Sequence, residues 1–146
     1  MKKFNFSLST VHKYKNQILD NLKSQHATIL AALKDQENIL LKLEDKHKNI
    51  NNEFNSKNKQ GLILIEAIGY KRYLKILENK IKEEKDKLNS LKETESEKKT
   101  QVIEARKEVA SLDKLKEKRL DEYNKALQKK EEQSVEEFVS NRFTCN

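Results

Sequence analysis

The feature that most constrains this chain is a pair of apolar stripes, each repeating every seven residues. In the first half, Leu22, Ile29, Gln36, Leu43 and Ile50 form one column, and Leu19, His26, Leu33, Leu40, His47 and Phe54 form the other. Interleaved, their steps alternate between three and four, which is the seam of a left-handed coiled coil. The second half repeats the arrangement. Tyr70, Leu77, Glu84, Leu91, Lys98, Ala105 and Leu112 make one column, and Leu74, Ile81, Leu88, Glu95, Val102 and Val109 make the other. With 38% charged residues and a mean hydropathy of −0.97, disorder is the competing reading. Unstructured polar sequence does not hold such a register for about five heptads, twice over. The periodicity therefore predicts long helices, each burying a narrow stripe and leaving the rest wet.

The chain has no Pro and only two Gly, Gly61 and Gly69, both between the two stripes. Helix breakers are confined to the place where a hairpin must turn. The predicted fold is all-α: one domain over 1–146, two long helices in an antiparallel coiled-coil hairpin, helix 2 longer than helix 1. Helix 1 is expected over about 8–55 with Ser7 or Ser9 as N-cap, a turn over about 56–69, helix 2 over about 70–139, then a short tail. Pairing the stripes within the chain removes both from water at about 25 cal/mol per Å², so the chain reads as monomeric when alone.

One register places every seam position of helix 1 against a seam position of helix 2: facing residues whose numbers add to about 131. Leu43 then meets Leu88, Gln36 shares a layer with Glu95, and His47 shares one with Glu84; Lys98 faces Leu33 and must snorkel. In that register roughly fifteen residues of helix 2 project past the start of helix 1. Leu127, Val135 and Phe138 lie there without an intrachain partner, beside the N-terminal Phe4, Phe6 and Leu8, as exposed apolar residues on a partner surface would.

No constellation for catalysis is present. His12, His26 and His47 are 14 and 21 residues apart on one helix, hence about 20 and about 30 Å apart, too far to share a metal. His26 and His47 read as seam residues that specify pairing. Cys145 is the sole cysteine, which leaves no intrachain disulfide and suits a reducing compartment; it also lacks a neighbouring base to make it a nucleophile. There is no Gly-rich phosphate loop. Acidic clusters such as Glu83, Glu84 and Asp86 read as a solvated helix face. The expectation is a protein that is not an enzyme and holds no metal or cofactor.

The net charge of +7 comes from 31 basic and 24 acidic residues, interleaved along both helices as in 82–87, where i, i+4 pairs can form. Nucleic-acid binders concentrate charge on one stripe, so nucleic acid is not an expected partner. The longest apolar run is Leu62-Ile63-Leu64-Ile65, far short of the roughly 20 residues a membrane span needs. Met1-Lys2-Lys3 is not followed by an apolar signal-peptide core, and no direct membrane insertion is expected. The 62–68 stretch is either a short turn or helix folded onto the hairpin end or a docking tip.

Several motifs resemble the FliJ family of flagellar export proteins. Phe6-x-Leu8-x-x-Val11-x-x-Tyr14-Lys15 is similar to the family's opening. Leu115-Lys116-Glu117-Lys118, Tyr123, Glu131, Val135-Glu136-Glu137-Phe138 and Arg142-Phe143 resemble its C-terminal signature. Gly61 followed by Tyr70-x-x-Tyr73-Leu74-x-x-Leu77 fits its centre. The family more often has Gln at 132 and Asp at 136, where this chain has Glu.

The resemblance implies a non-enzymatic component of flagellar type III export, similar to the coiled-coil stalk of rotary ATPases. It implies that the end carrying both termini contacts the hexameric export ATPase and promotes its assembly, through Phe6, Leu8, Val11, Tyr14, Tyr123, Leu127, Glu137 and Phe138. It further implies a patch for the export gate membrane protein at Leu43, Ile50, Tyr73 and Leu77, with Tyr73 the better surface candidate because the other three are also seam residues. Export chaperones are further implied partners. The implied location is cytoplasmic, peripheral at the inner face of the membrane through the export apparatus. The alternatives are the equivalent stalk of a virulence secretion system and a structural homodimeric coiled coil.

Overall fold

The computed structural model describes residues 2–144, so the readings attached to Met1 and Cys145 lie outside the described residues. Two α-helices, α1 (Ser9–Gln60) and α2 (Leu64–Thr144), account for nearly all of them, and no strand occurs among the described residues. At 52 and 81 residues, α2 is the longer, and the two pair antiparallel as a hairpin.

The turn is far shorter than the expected 56–69: only Gly61, Leu62 and Ile63 are non-helical. Gly61 ends α1 with φ +97°, a left-handed conformation that glycine adopts without steric cost, and its N–H donates to the Asn58 carbonyl at 3.3 Å. Lys57 and Lys59 in the last turn complement the negative end of the helix. Gly69, expected to mark the turn, lies inside α2. A lone helical glycine costs about 1 kcal/mol relative to alanine, too little to break a helix built by its neighbours. The expected end near 139 is likewise corrected to Thr144, because 127–144 contains neither Gly nor Pro to stop the helix.

Contacts within the chain gather into two compact units, Met1–Asn21 with Val102–Asn146, and Leu22–Gln101. In the second unit, Leu40, Leu74, Leu77 and Leu88 are buried together with Gln36 and Glu84. Leu33, Leu43, Ile50, Ile81 and Leu91 are half-buried, and Phe54 packs on Tyr70 with ring centroids 5.6 Å apart. In the first unit, Leu19, Val102, Ala105 and Val109 form the seam, and Phe6 joins them in the buried set. No described side chain is fully enclosed. That is the consequence of a core only two helices wide, whose every layer opens to water on both flanks.

The expected register is displaced by one heptad. In Leu22–Gln101 the cross-helix polar partners are Gln36–Glu84, His26–Glu95, Gln25–Lys98, Glu53–Tyr70, His47–Glu78 and Glu44–Lys85, whose numbers add to between 120 and 129. In the other unit Lys15–Glu108 and His12–Asp113 add to 123 and 125. A three-residue connection centred on Leu62 pairs residues adding to about 124, and loop geometry prevails over layer matching. The expected layers Gln36/Glu95 and His47/Glu84 therefore do not form. Long polar side chains reach diagonally to the neighbouring layer, so matching polar residues within one layer is not required. Lys98 does snorkel, its Nζ donating to the Gln25 Oε1 at 2.9 Å.

Candidate interaction surfaces

The start of α1 is set by backbone carbonyls. The Leu8 carbonyl accepts the His12 N–H at 2.8 Å and the Phe6 carbonyl accepts the Ser9 N–H at 3.1 Å. Leu8 therefore occupies the cap position expected for Ser7 or Ser9. This turn carries Phe6 inward, where its ring stacks on the His12 imidazole with centroids 6.2 Å apart. His12 is held in turn against Asp113 at 2.5 Å. Upstream, the Phe4 ring lies 5.5 Å from that of Tyr123, whose hydroxyl donates to the Lys2 carbonyl at 2.5 Å. The N-terminal residues thus run along α2 as a strap. Phe4 and Phe6, expected at the same end as the projecting part of helix 2, are covered by the chain itself.

Of the residues assigned to ATPase contact, Phe6 is buried, and Tyr123 and Leu127 are half-buried. Leu8, Val11 and Tyr14, spaced by three, are exposed on the first turns of α1. Glu137 and Phe138 are exposed, as is every described residue from 128 to 144. Along that stretch Leu127, Glu131, Val135 and Phe138 recur at i, i+4, i+8 and i+11, one stripe of the helix. Lys15 beside Tyr14 is paired with Glu108 at 2.8 Å, and this hydrogen bond holds its ammonium above the usual lysine range.

Of the residues assigned to the export gate, Leu77 belongs to the core. Leu43 and Ile50 are half-buried seam residues; Tyr73 is half-buried, with the Lys46 ammonium 5.6 Å from its ring centroid. Ile76, Leu41 and Ile39 are exposed apolar residues of the same unit that the heptad count did not single out.

A row of polar contacts accompanies the seam. His26 meets Glu95 at 3.0 Å and His47 approaches Glu78 at 3.4 Å, so all three histidines of the chain face a carboxylate on α2. The Gln36 amide donates to both the carboxylate and the backbone carbonyl of Glu84. That bond, reinforced by Lys87 and opposed by burial, keeps the Glu84 carboxyl below the usual carboxylate range. Glu53 is likewise lowered by the Tyr70 hydroxyl and then by Lys57. No group of three metal-ligating side chains occurs among the described residues, and no described helix is long and apolar enough to cross a membrane.

The family model for Flagellar FliJ protein matches residues 4–146, nearly the whole chain. The chain belongs to the FliJ family. It is therefore a protein of the flagellar export system, and the heptad seams, the hairpin and the exposed C-terminal turns described above are the form the FliJ chain takes here. No curated protein and no solved structure matches it.

Proposed function

We propose that this FliJ chain acts without chemistry of its own, binding the flagellar export ATPase, promoting its hexamer, and linking it to the export gate and to export chaperones. The observation that carries the reading is the uninterrupted exposure of 128–144, a helical stretch bearing Val135, Phe138, Val139 and Phe143 with no covering element. Exposed apolar side chains gathered on an unpaired helix mark a surface that a partner can cover. Leu8, Val11 and Tyr14 on α1 extend the apolar surface within the same unit. The strap supports the reading indirectly, with Phe6 and Tyr123 holding the N-terminal residues on α2 rather than touching the partner. Tyr73, with half-buried Leu43 and Ile50 nearby in sequence register, is the proposed gate contact, and Leu77 supports it from beneath. Peripheral attachment to the membrane through the export apparatus follows from these contacts. A homodimeric coiled coil is disfavoured because each unit already pairs its α1 and α2 seams.

The test is stimulation of the purified export ATPase by the full chain. Leu127→Asp with Phe138→Asp abolishes stimulation and pull-down while the helical circular dichroism is unchanged. Stimulation that survives both changes refutes the assignment of this surface.

A further inference from the structure

The closed turn carries a second exposed apolar surface. Ile63, Leu64 and Ile65 are 64%, 75% and 79% exposed, and Ile68 is 47% exposed. Within the same stretch Leu62 and Ala67 are half-buried, so these exposed residues form one side of it. At 100° per residue, Leu64, Ile65 and Ile68 fall within one arc of α2, on the side away from the seam residues Leu74 and Leu77. The same arc continues into Lys71, Arg72 and Lys75, with exposed Ile76 at its edge beyond them, while Glu66 falls outside it. Along one face, then, apolar side chains at the tip give way to cations about 10 Å further along the helix.

We propose that this tip seats in the interface of an anionic lipid bilayer, with its apolar turn among the acyl chains and Lys71 and Arg72 at the lipid phosphates. The stratification is what the interface demands. A docked apolar surface sinks about 5–10 Å below the headgroups, and cations at that distance behind it reach the phosphate layer with their stems along the apolar boundary. A protein groove that receives an amphipathic helix asks instead for apolar residues continuing at i+7, where this face has Lys71 and Arg72 and only Ile76 returns beyond them. Charge agrees. Residues 57–75 hold five cations to the single acid Glu66, against 31 to 24 in the whole chain. The first turn of α2 also points its unpaired backbone N–H groups toward the tip, which favours anionic headgroups. This is seating on a membrane surface, not spanning, and it does not depend on the ATPase reading.

The chain contains no Trp, so Ile65→Trp supplies a single fluorescent reporter at the tip. The full chain is mixed with vesicles of phosphatidylcholine alone, or with phosphatidylglycerol at about a 7:3 ratio, and sedimented. Binding is expected to the anionic vesicles and not to the neutral ones, falling as salt rises from about 0.1 to about 0.5 M. On binding, the I65W emission shifts to the blue. Each cation at such a surface strengthens binding about fivefold, so Lys71→Gln with Arg72→Gln weakens it about 25-fold. Leu64→Asp with Ile65→Asp abolishes binding; Phe138→Asp, in the other unit, does not. Absence of vesicle binding, binding that the two aspartates leave intact, or an I65W shift that appears only when an export protein is added each overturns the proposal, the last in favour of a protein partner at the tip.

Discussion

Leu77 and Ile76 are neighbours in α2, yet the structure assigns them opposite energetic roles. Leu77 is 4% exposed and Ile76 is 56% exposed. Leu77→Ala removes the equivalent of about three buried methylenes, a transfer loss of about 2.4 kcal/mol. The cavity contribution is small because no layer of this seam is sealed; neighbouring side chains and water can close on the gap. The expected total is about 3 kcal/mol, low in the usual range for such changes. Ile76→Ala gives up little burial and gains helix propensity, so it should stay within about 0.5 kcal/mol. Urea unfolding followed by circular dichroism measures both, with a midpoint loss of about 1–3 M for Leu77→Ala at typical slopes. Because contacts gather into two units, the curve is fitted with two transitions if probes do not coincide, and the effect belongs to the one reporting Leu22–Gln101. Equal losses for the two variants, or a loss below about 0.5 kcal/mol for Leu77→Ala, would refute the burial argument for the seam.

The two glycines should respond in opposite directions. A Cβ at Gly69 meets nothing within 4 Å, so Gly69→Ala raises stability by about 0.5–1 kcal/mol, whereas Gly61→Ala at φ +97° lowers it by about 1–2 kcal/mol in the same urea assay. Glu84 has a lowered carboxyl pKa in the folded chain, so its contribution is present above the ordinary value of 4.5 and is lost as pH falls through the folded value. The midpoint difference between wild type and Gln36→Leu should therefore be largest near neutral pH and shrink below that value; a difference that grows in acid reverses the sign and defeats the account. In a Cys145→Ser background, Leu43→Cys with Ile81→Cys should oxidise within one chain. Leu43→Cys with Leu88→Cys should not, since one heptad displaces the pair by about 10 Å, beyond the reach of a disulfide.

How much of this was legible in the sequence depends on which physical quantity each feature obeys. The stripes follow from periodicity, and Leu19, Leu40, Leu74, Leu77, Leu88, Val102, Ala105 and Val109 are buried at positions the heptad count names. Register obeys loop length, and the length of the connection was obscured because both glycines looked alike; only Gly61 takes a conformation that needs one. The polar pairs obey side-chain reach, so Gln36 finds Glu84 and His26 finds Glu95 across neighbouring layers, which a rule confined to one layer misses. Phe6 lies before the helix, outside any periodic frame, and its burial depends on a turn made by the Phe6 and Leu8 carbonyls. The tip is legible in part, since the apolar run 62–68 by itself admits a docking tip, but its continuation into cations does not show in that run alone. Ile65 and Ile68 share an arc with Lys71 and Arg72, so a count continued across the supposed turn would have shown apolar residues leading into cations on the face away from the seam. Gly69 masks this continuity because a glycine between two seams also fits a turn. A glycine marks a helix end where the backbone must turn left-handed, and elsewhere costs about 1 kcal/mol that a long paired helix absorbs.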